Sequence, residues 1–193
     1  ELEQKRLGAD LEAVRRQADP GLLLRTLRKT AGFAKDEPAR ASEMVLLQSK
    51  LLRYQLYDAQ RPKVLLKTEA EYMARYLRME ELVSGHFRYT FKESGELYRL
   101  WITPLVLVPV IRNLLDGAGS REFPVCLDVA LSVTPDDVIT LICQIDTAVG
   151  GSQLDRDRDR LCHLYGDRLV FENHTGDRST RIELRIKPEE PHE

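Results

Sequence analysis

Three cysteines, four histidines and one tryptophan in 193 residues leave several kinds of chemistry with little to work with. Cys126, Cys143 and Cys162 are odd in number, far apart and without a C-x-x-C pair, so neither a disulfide framework nor a thiolate zinc site is written here. Cys126 and Cys143 lie in apolar runs and read as small core residues in a reducing compartment. The histidines are scattered: His86 reads as a surface residue at a strand start, His163 fits either face of its helix, and His174 and His192 fall in a turn and in the tail. No His, Cys, Asp and Glu set has metal-ligand spacing, and there is neither a nucleophile elbow nor a Walker loop.

Charge of one sign is also missing. With 29 basic and 31 acidic residues the formal net charge is -2, and the basic residues are mixed with acids along the chain. No phosphate-binding stripe forms, and no nucleic-acid partner is expected. No apolar run approaches the roughly 20 residues that cross a bilayer, and no signal peptide is present. The chain begins at Glu1, not at a methionine, and reads as a fragment; any membrane attachment is expected only through an upstream segment. A hydrophobic fraction of 42% and a charged fraction of 31% are ordinary for one or two small soluble domains.

What is present is organised around Trp101 to Gly117. From Pro104 onward, Leu105 to Val108, Val110, Ile111, Leu114 and Leu115 nearly encircle a helix, which predicts a buried core helix. Its polar pair, Arg112 and Asn113, sits either on the solvent edge or inside, where a buried amide needs a designated partner. Ahead of it, Leu7, Leu11, Val14 and Ala18 keep the alternating four and three spacing of a coiled-coil seam. Pro20 marks a kink or restart, after which Leu23, Leu24 and Leu27 continue the apolar side. Lys35 to Arg40 is a turn. Ser42 is the predicted N-cap of a second helix to about Tyr57, with Met44, Val45, Leu47, Leu51, Leu52 and Leu56 inward.

The remainder alternates between helix and strand signals. Thr68 and Glu71 predict a capping box for a helix to about Val83, with Tyr72, Met73, Tyr76, Leu77 and Met79 buried. Phe87 to Phe91 and Leu97 to Trp101 read as strands around a Glu93 to Glu96 turn. Phe123 to Val133 and Val138 to Ile145 read as a hairpin turning at Thr134, Pro135 and Asp136. Asp146 at a strand end before small residues reads as a turn. Asp155 to Arg160 alternates acid and base, the pattern of a solvated helix with i, i+3 ion pairs. Arg168 to Phe171 and Thr180 to Ile186 close the sheet. The expected fold is α+β: a helical hairpin over residues 1–60, pairing into a four-helix bundle as a dimer, then a two-layer α/β sandwich over residues 61–190.

These segments carry a resemblance. Gln17 to Thr30, QADPGLLLRTLRKT, resembles the phosphoacceptor motif Q-I-N-P-H-F-L-F-N-T-L-N of LytS-type sensor histidine kinases. SKLLRYQLYD and EYMARYLRMEELVSG look like the two helices that follow in that family. Trp101 to Gly117 is similar to its N-box, P-x-L-x-L-Q-P-L-V-E-N-A-x-x-H-G, and IDTAVGG with GSQLDRDRDRLCHLYG to its nucleotide loops. The resemblance implies a sandwich of the GHKL ATPase type, with Asn113 holding the magnesium of a bound nucleotide, Asp146 receiving the adenine, and Gly150 and Gly151 letting backbone approach it. The chain departs from the pattern at the points that carry phosphate. Gly21 stands at the phosphoacceptor histidine, Arg112 at the N-box acid, Ala148 and Gln153 at glycines, and no lid separates Gly150 from Gly151. A glycine offers no imidazole to attack a γ-phosphate.

The implied protein is thus the cytoplasmic kinase region of a two-component sensor, degenerate in phosphotransfer, with ATP or ADP and magnesium bound weakly or not at all. It signals by conformation and by pairing, as a homodimer or with another histidine kinase, with a response regulator as a possible partner, and an inner-membrane sensor is the expected parent. Two readings stand beside it: nucleotide binding with phosphotransfer to a histidine on a partner chain, and an α/β interaction module with no signalling role.

Overall fold

A computed structural model describes residues 20–119 and 124–188; the seam from Leu7 to Ala18, Gln17 and His192 lie outside the described residues. Helix α1 spans Pro20–Asp36 and helix α2 spans Pro38–Tyr57; α2 opens on proline, whose missing N–H is no loss in a first turn. That is why α2 starts at Pro38 and not after Ser42. The two helices pack on each other. Leu22 and Thr26 of α1 and Met44, Leu51 and Tyr54 of α2 are buried, whereas Val45 and Leu56, expected inward, are more than half exposed.

A 3-10 turn, Asp58–Gln60, leads to β1 (Val64–Leu65) and α3 (Leu66–Ser84). The Thr68 and Glu71 capping box does not form. The helix begins three residues earlier, its first-turn acid is Glu69, and Glu71 pairs instead with Arg75 at 2.8 Å. Tyr72, Met73, Tyr76, Leu77 and Met79 are buried as their spacing predicts. Helix α3 ends on Gly85, whose φ of 71° is the left-handed cap that glycine adopts without strain.

Five strands form one sheet in the order β2-β4-β5-β7-β6. They are β2 (Phe87–Ser94), β4 (Val125–Val133), β5 (Ile139–Ile145), β6 (Leu169–Thr175) and β7 (Thr180–Ile186). β2 runs parallel to β4 with Phe87 opposite Val125, and every other pair is antiparallel. The strand expected over Leu97 to Trp101 forms only at its end. Leu97 to Leu100 is turn, and β3 (Trp101–Ile102) pairs with β1 in a separate two-stranded sheet. Gly95 permits the departure: its φ is 83°, and a Cβ there would lie 2.3 Å from the carbonyl oxygen of Val133.

Strand alternation assigns the two faces. Leu127, Val129 and Leu131 of β4, Leu141, Cys143 and Ile145 of β5, and Ile182 and Leu184 of β7 point inward, while Arg88, Asp128, Gln144 and Arg185 are exposed on the other face. Cys126 falls on that open face, so it is exposed and not a core residue; Cys143 is the packing thiol, pushed up to about 12 by burial. The inner face is covered by α3, by α4 (Val108–Ala118) and by α5 (Gly151–Tyr165). Leu22, Met44, Leu51 and Tyr54 belong to the same contiguous core as this sandwich.

Candidate functional site

The helix predicted from Pro104 begins only at Val108, and a buried carboxylate explains the delay. Glu69, fully buried on α3, accepts the backbone N–H groups of Leu105, Val106 and Leu107 at 3.1, 3.1 and 3.4 Å, together with the hydroxyl of Tyr54 from α2. Donors committed to a side chain hold Pro104 to Leu107 as a turn, with Leu105 at a φ of 55°. Burial raises the Glu69 carboxyl above its ordinary value, with the hydroxyl and the three N–H groups pulling it down. Three segments meet on this one residue: α2, α3 and the entry to α4.

From Val108 onward, Val110, Ile111 and Leu114 face the core. Asn113 is part-buried and has the designated partner that a buried amide requires: its Nδ2 donates to Oδ2 of Asp157 on α5 at 2.6 Å. Asp157 is 5% exposed. Desolvation raises its carboxyl, opposed by the bond from Asn113 and then by Arg160, Arg112 and Arg156. The Asp155 to Arg160 run is therefore not wholly a solvated face. Arg158 does pair with Asp155, at 3.5 Å, but Asp157 turns inward, and Arg160 donates to the carbonyl of Val106 at 3.3 Å. The signal was present: Leu154, Asp157, Leu161 and Tyr165, all buried, keep the i, i+3, i+7, i+11 stripe of the inner face.

The loop after β5 closes the same corner. Cys126 N–H donates to Oδ1 of Asp146 at 2.9 Å, and Asp146 N–H returns to the Cys126 carbonyl at 3.2 Å, so this exposed aspartate ties the ends of β4 and β5. Val149 N–H donates to the Thr180 hydroxyl at 2.9 Å. The Val149 side chain lies so close to α4 that a Cβ on Gly117 would be 2.4 Å from its Cγ1. Gly117 is one turn beyond Asn113, so α5 and this loop press on the same face of α4. Gly150 leads directly into α5, which Gly151 opens; the side chain of Gln153 is outside the described ones. Thr147 is buried with an unpartnered hydroxyl. Gly21 lies elsewhere, exposed in the first turn of α1.

Asn113, Gly117, Asp157 and the Asp146 to Gly150 loop are thus brought together, and Arg112 and Arg160 add two guanidinium charges near the Asp157 carboxylate. Among the described residues no group of three or more His, Cys, Asp and Glu could hold a metal ion. The residues present fit a magnesium nucleotide poorly. The Asn113 amide is held against α5 by Asp157, a cation stands where an acid would assist a divalent ion, and Val149 occupies the space over Gly117.

Residues 9–96 match the family model described as histidine kinase. No curated protein matches the sequence at a significant level. Among solved structures, the fold is similar to the histidine kinase domain of the Erythrobacter litoralis EL346 blue-light activated histidine kinase, at 13% identity and a TM-score of 0.53, over 97% of this chain and 95% of that one. The longer form of that kinase is matched at 14% identity and a TM-score of 0.50 over 90% of this chain and 59% of its own. The catalytic domain of the histidine kinase ThkA is matched at 9% identity and a TM-score of 0.50, over 66% of this chain and 97% of that domain. At such identities the likeness is one of fold. What it shows is a mixed α+β architecture shared with histidine kinase domains.

Proposed function

We propose that this chain is the kinase region of a LytS-type two-component sensor whose phosphotransfer chemistry has been lost, and that it signals by conformation and pairing. The observation that carries the reading is the 2.6 Å bond from Asn113 to Asp157, which spends the side chain that the resemblance assigns to magnesium on holding α4 to α5. Gly21 at the phosphoacceptor position supports it, because no side chain there can take a phosphoryl group. Leu24 and Leu27 on α1 and Val45, Leu46 and Leu56 on α2 leave large apolar side chains more than half exposed. A second copy, or a related kinase, would cover them in a four-helix bundle. A response regulator is the downstream partner this reading implies. No helix of the described residues is long and apolar enough to cross a membrane; a cytoplasmic position beneath a membrane sensor is part of the proposal.

The test is direct. The purified chain is melted with and without millimolar magnesium-ATP or magnesium-ADP, then incubated with labelled ATP. No shift and no label are expected; an acid-labile phosphohistidine on the chain would overturn the reading. The alternative, nucleotide binding through Asn113 and Asp146 with transfer to a partner's histidine, draws on both residues remaining at their family positions. It predicts a stabilisation of about 2.7 kcal/mol at 100 times the dissociation constant.

A further inference from the structure

We propose that the cleft between α1 and the sandwich binds a small organic anion with an apolar body, of the aromatic carboxylate or phosphate-ester class. The cleft has a volume of about 710 Å³, within the roughly 300–1,000 Å³ of small-molecule sites. Its floor is apolar: Val83 of α3, Phe87 of β2, Leu115 and Ala118 of α4, and Val125 of β4. Three basic side chains of α1 line it as well, Arg25, Arg28 and Lys29 at i, i+3 and i+4, together with His86 and the acids Glu80 and Asp116.

The charges sort into one committed pair and a set left over. Arg25 donates to Glu80 at 2.8 Å, and Glu80, 8% exposed, also accepts the Tyr76 hydroxyl at 3.2 Å, so that pair closes one wall. The other acid, Asp116, is itself engaged. Arg28 and Lys29 are exposed and have no acidic partner among the described residues. Two exposed cations with no acidic partner among the described residues, beside an apolar lining, select a ligand with one anionic end and one greasy end. Because α4 ends here and presents carbonyls, the anionic group belongs against α1 and the apolar body against α3 and α4.

This site is separate from the corner that holds Asn113. At 100° per residue, Leu115 and Ala118 lie on the side of α4 opposite Asn113 and Gly117, so occupation of the cleft depends neither on nucleotide nor on the kinase reading. A ligand there touches both α1 and the sandwich, and would hold one against the other.

Calorimetry on the whole chain tests the proposal with 1-naphthyl phosphate and 1-naphthoate as probes, and with neutral 1-naphthol and inorganic phosphate as controls. At least one naphthyl anion is expected to bind one to one, more weakly as salt rises, and the preferred head group separates phosphate ester from carboxylate. The Arg28→Glu, Lys29→Glu double variant should weaken binding about tenfold or more, since each charge-assisted contact is worth roughly that factor. Ser84→Trp, which places a ring in the cleft from an exposed rim position, should abolish it. Should Ser84→Trp fail to fold, the surface double variant still decides the matter. Absence of binding by both anions at millimolar concentration, equal binding of 1-naphthol, or affinity unchanged in the double variant would each overturn the proposal.

Discussion

Replacing Glu69 by glutamine turns one carboxylate oxygen into an NH2 group, and the structure says what each of the two oxygens does. One carboxylate oxygen receives the N–H groups of Val106 and Leu107; the other receives the N–H of Leu105 and the Tyr54 hydroxyl. Whichever way the amide turns, its NH2 faces at least one backbone donor, leaving a buried N–H without an acceptor at a cost of about 1–3 kcal/mol. The volume is unchanged, so no cavity adds to this. Removing a buried charge works in the opposite direction, but the Tyr54 hydroxyl and three backbone donors all favour an acceptor, and the net expectation is a loss of about 2 kcal/mol. For a domain of this size that is a fall in melting temperature of about 4–8 °C. Glu69→Ala, which strips every acceptor and opens a void, should cost more than about 4 kcal/mol. Urea unfolding of wild type, Glu69→Gln, Tyr54→Phe and the double variant measures each loss and the coupling between the two residues. A Glu69→Gln protein within about 0.5 kcal/mol of wild type, or more stable than it, refutes the claim that this carboxylate holds the entry to α4.

Gly117→Ala forces a Cβ to 2.4 Å from Val149 and should destabilise by about 1–3 kcal/mol; adding Val149→Ala should recover part of the loss, and thermal melting of the three variants checks it. Glu69 and Asp157 both have carboxyls raised by burial, so the folded chain keeps protons that the unfolded chain releases. Their stabilising contribution is complete below the ordinary values of 4.5 and 3.8 and falls as pH rises through the shifted ones. The stability gap between wild type and Glu69→Gln should therefore narrow from about pH 4 toward neutrality; a gap that widens contradicts the sign. If the proposed pairing through α1 and α2 holds, the wild-type chain sediments as a dimer and Leu24→Lys with Leu27→Lys, at two exposed positions of α1, makes it a monomer while changing stability by less than about 1 kcal/mol; a monomeric wild type, or a variant that stays dimeric, refutes that pairing surface.

The sheet was legible wherever side chains alternate. β4, β5 and β7 announce themselves because one face is packed and the other wet, and the turn at Thr134 to Asp136 is written in proline and aspartate. Asn113 could be singled out as an amide in need of a partner, but Asp157 hid among neighbouring charges, and only the stripe it shares with Leu154 and Leu161 reveals it. Glu69 was missed for the same reason: a carboxylate on an apolar stripe looks like a surface residue until the donors of a distant loop are known. That loop misplaced the start of α4, since Leu105 to Leu107 carry helical periodicity while their N–H groups are bound elsewhere. Val45 and Leu56 read as core because leucine-rich periodicity does not say which apolar face the same chain will cover. β3 is two residues long, below what any pattern can register.

The joint between the helical pair and the sandwich is the remaining feature of consequence. Leu22, Met44, Leu51 and Tyr54 belong to one contiguous core with the sandwich, reached through α3, and uncovering each would cost roughly 1.5–3 kcal/mol. Swinging the sandwich away as a free body would forfeit an amount comparable to the stability of an entire domain. A twist applied along α1 therefore reaches α3, and the sheet beyond it, as torque through a stiff coupling and is not absorbed at a hinge.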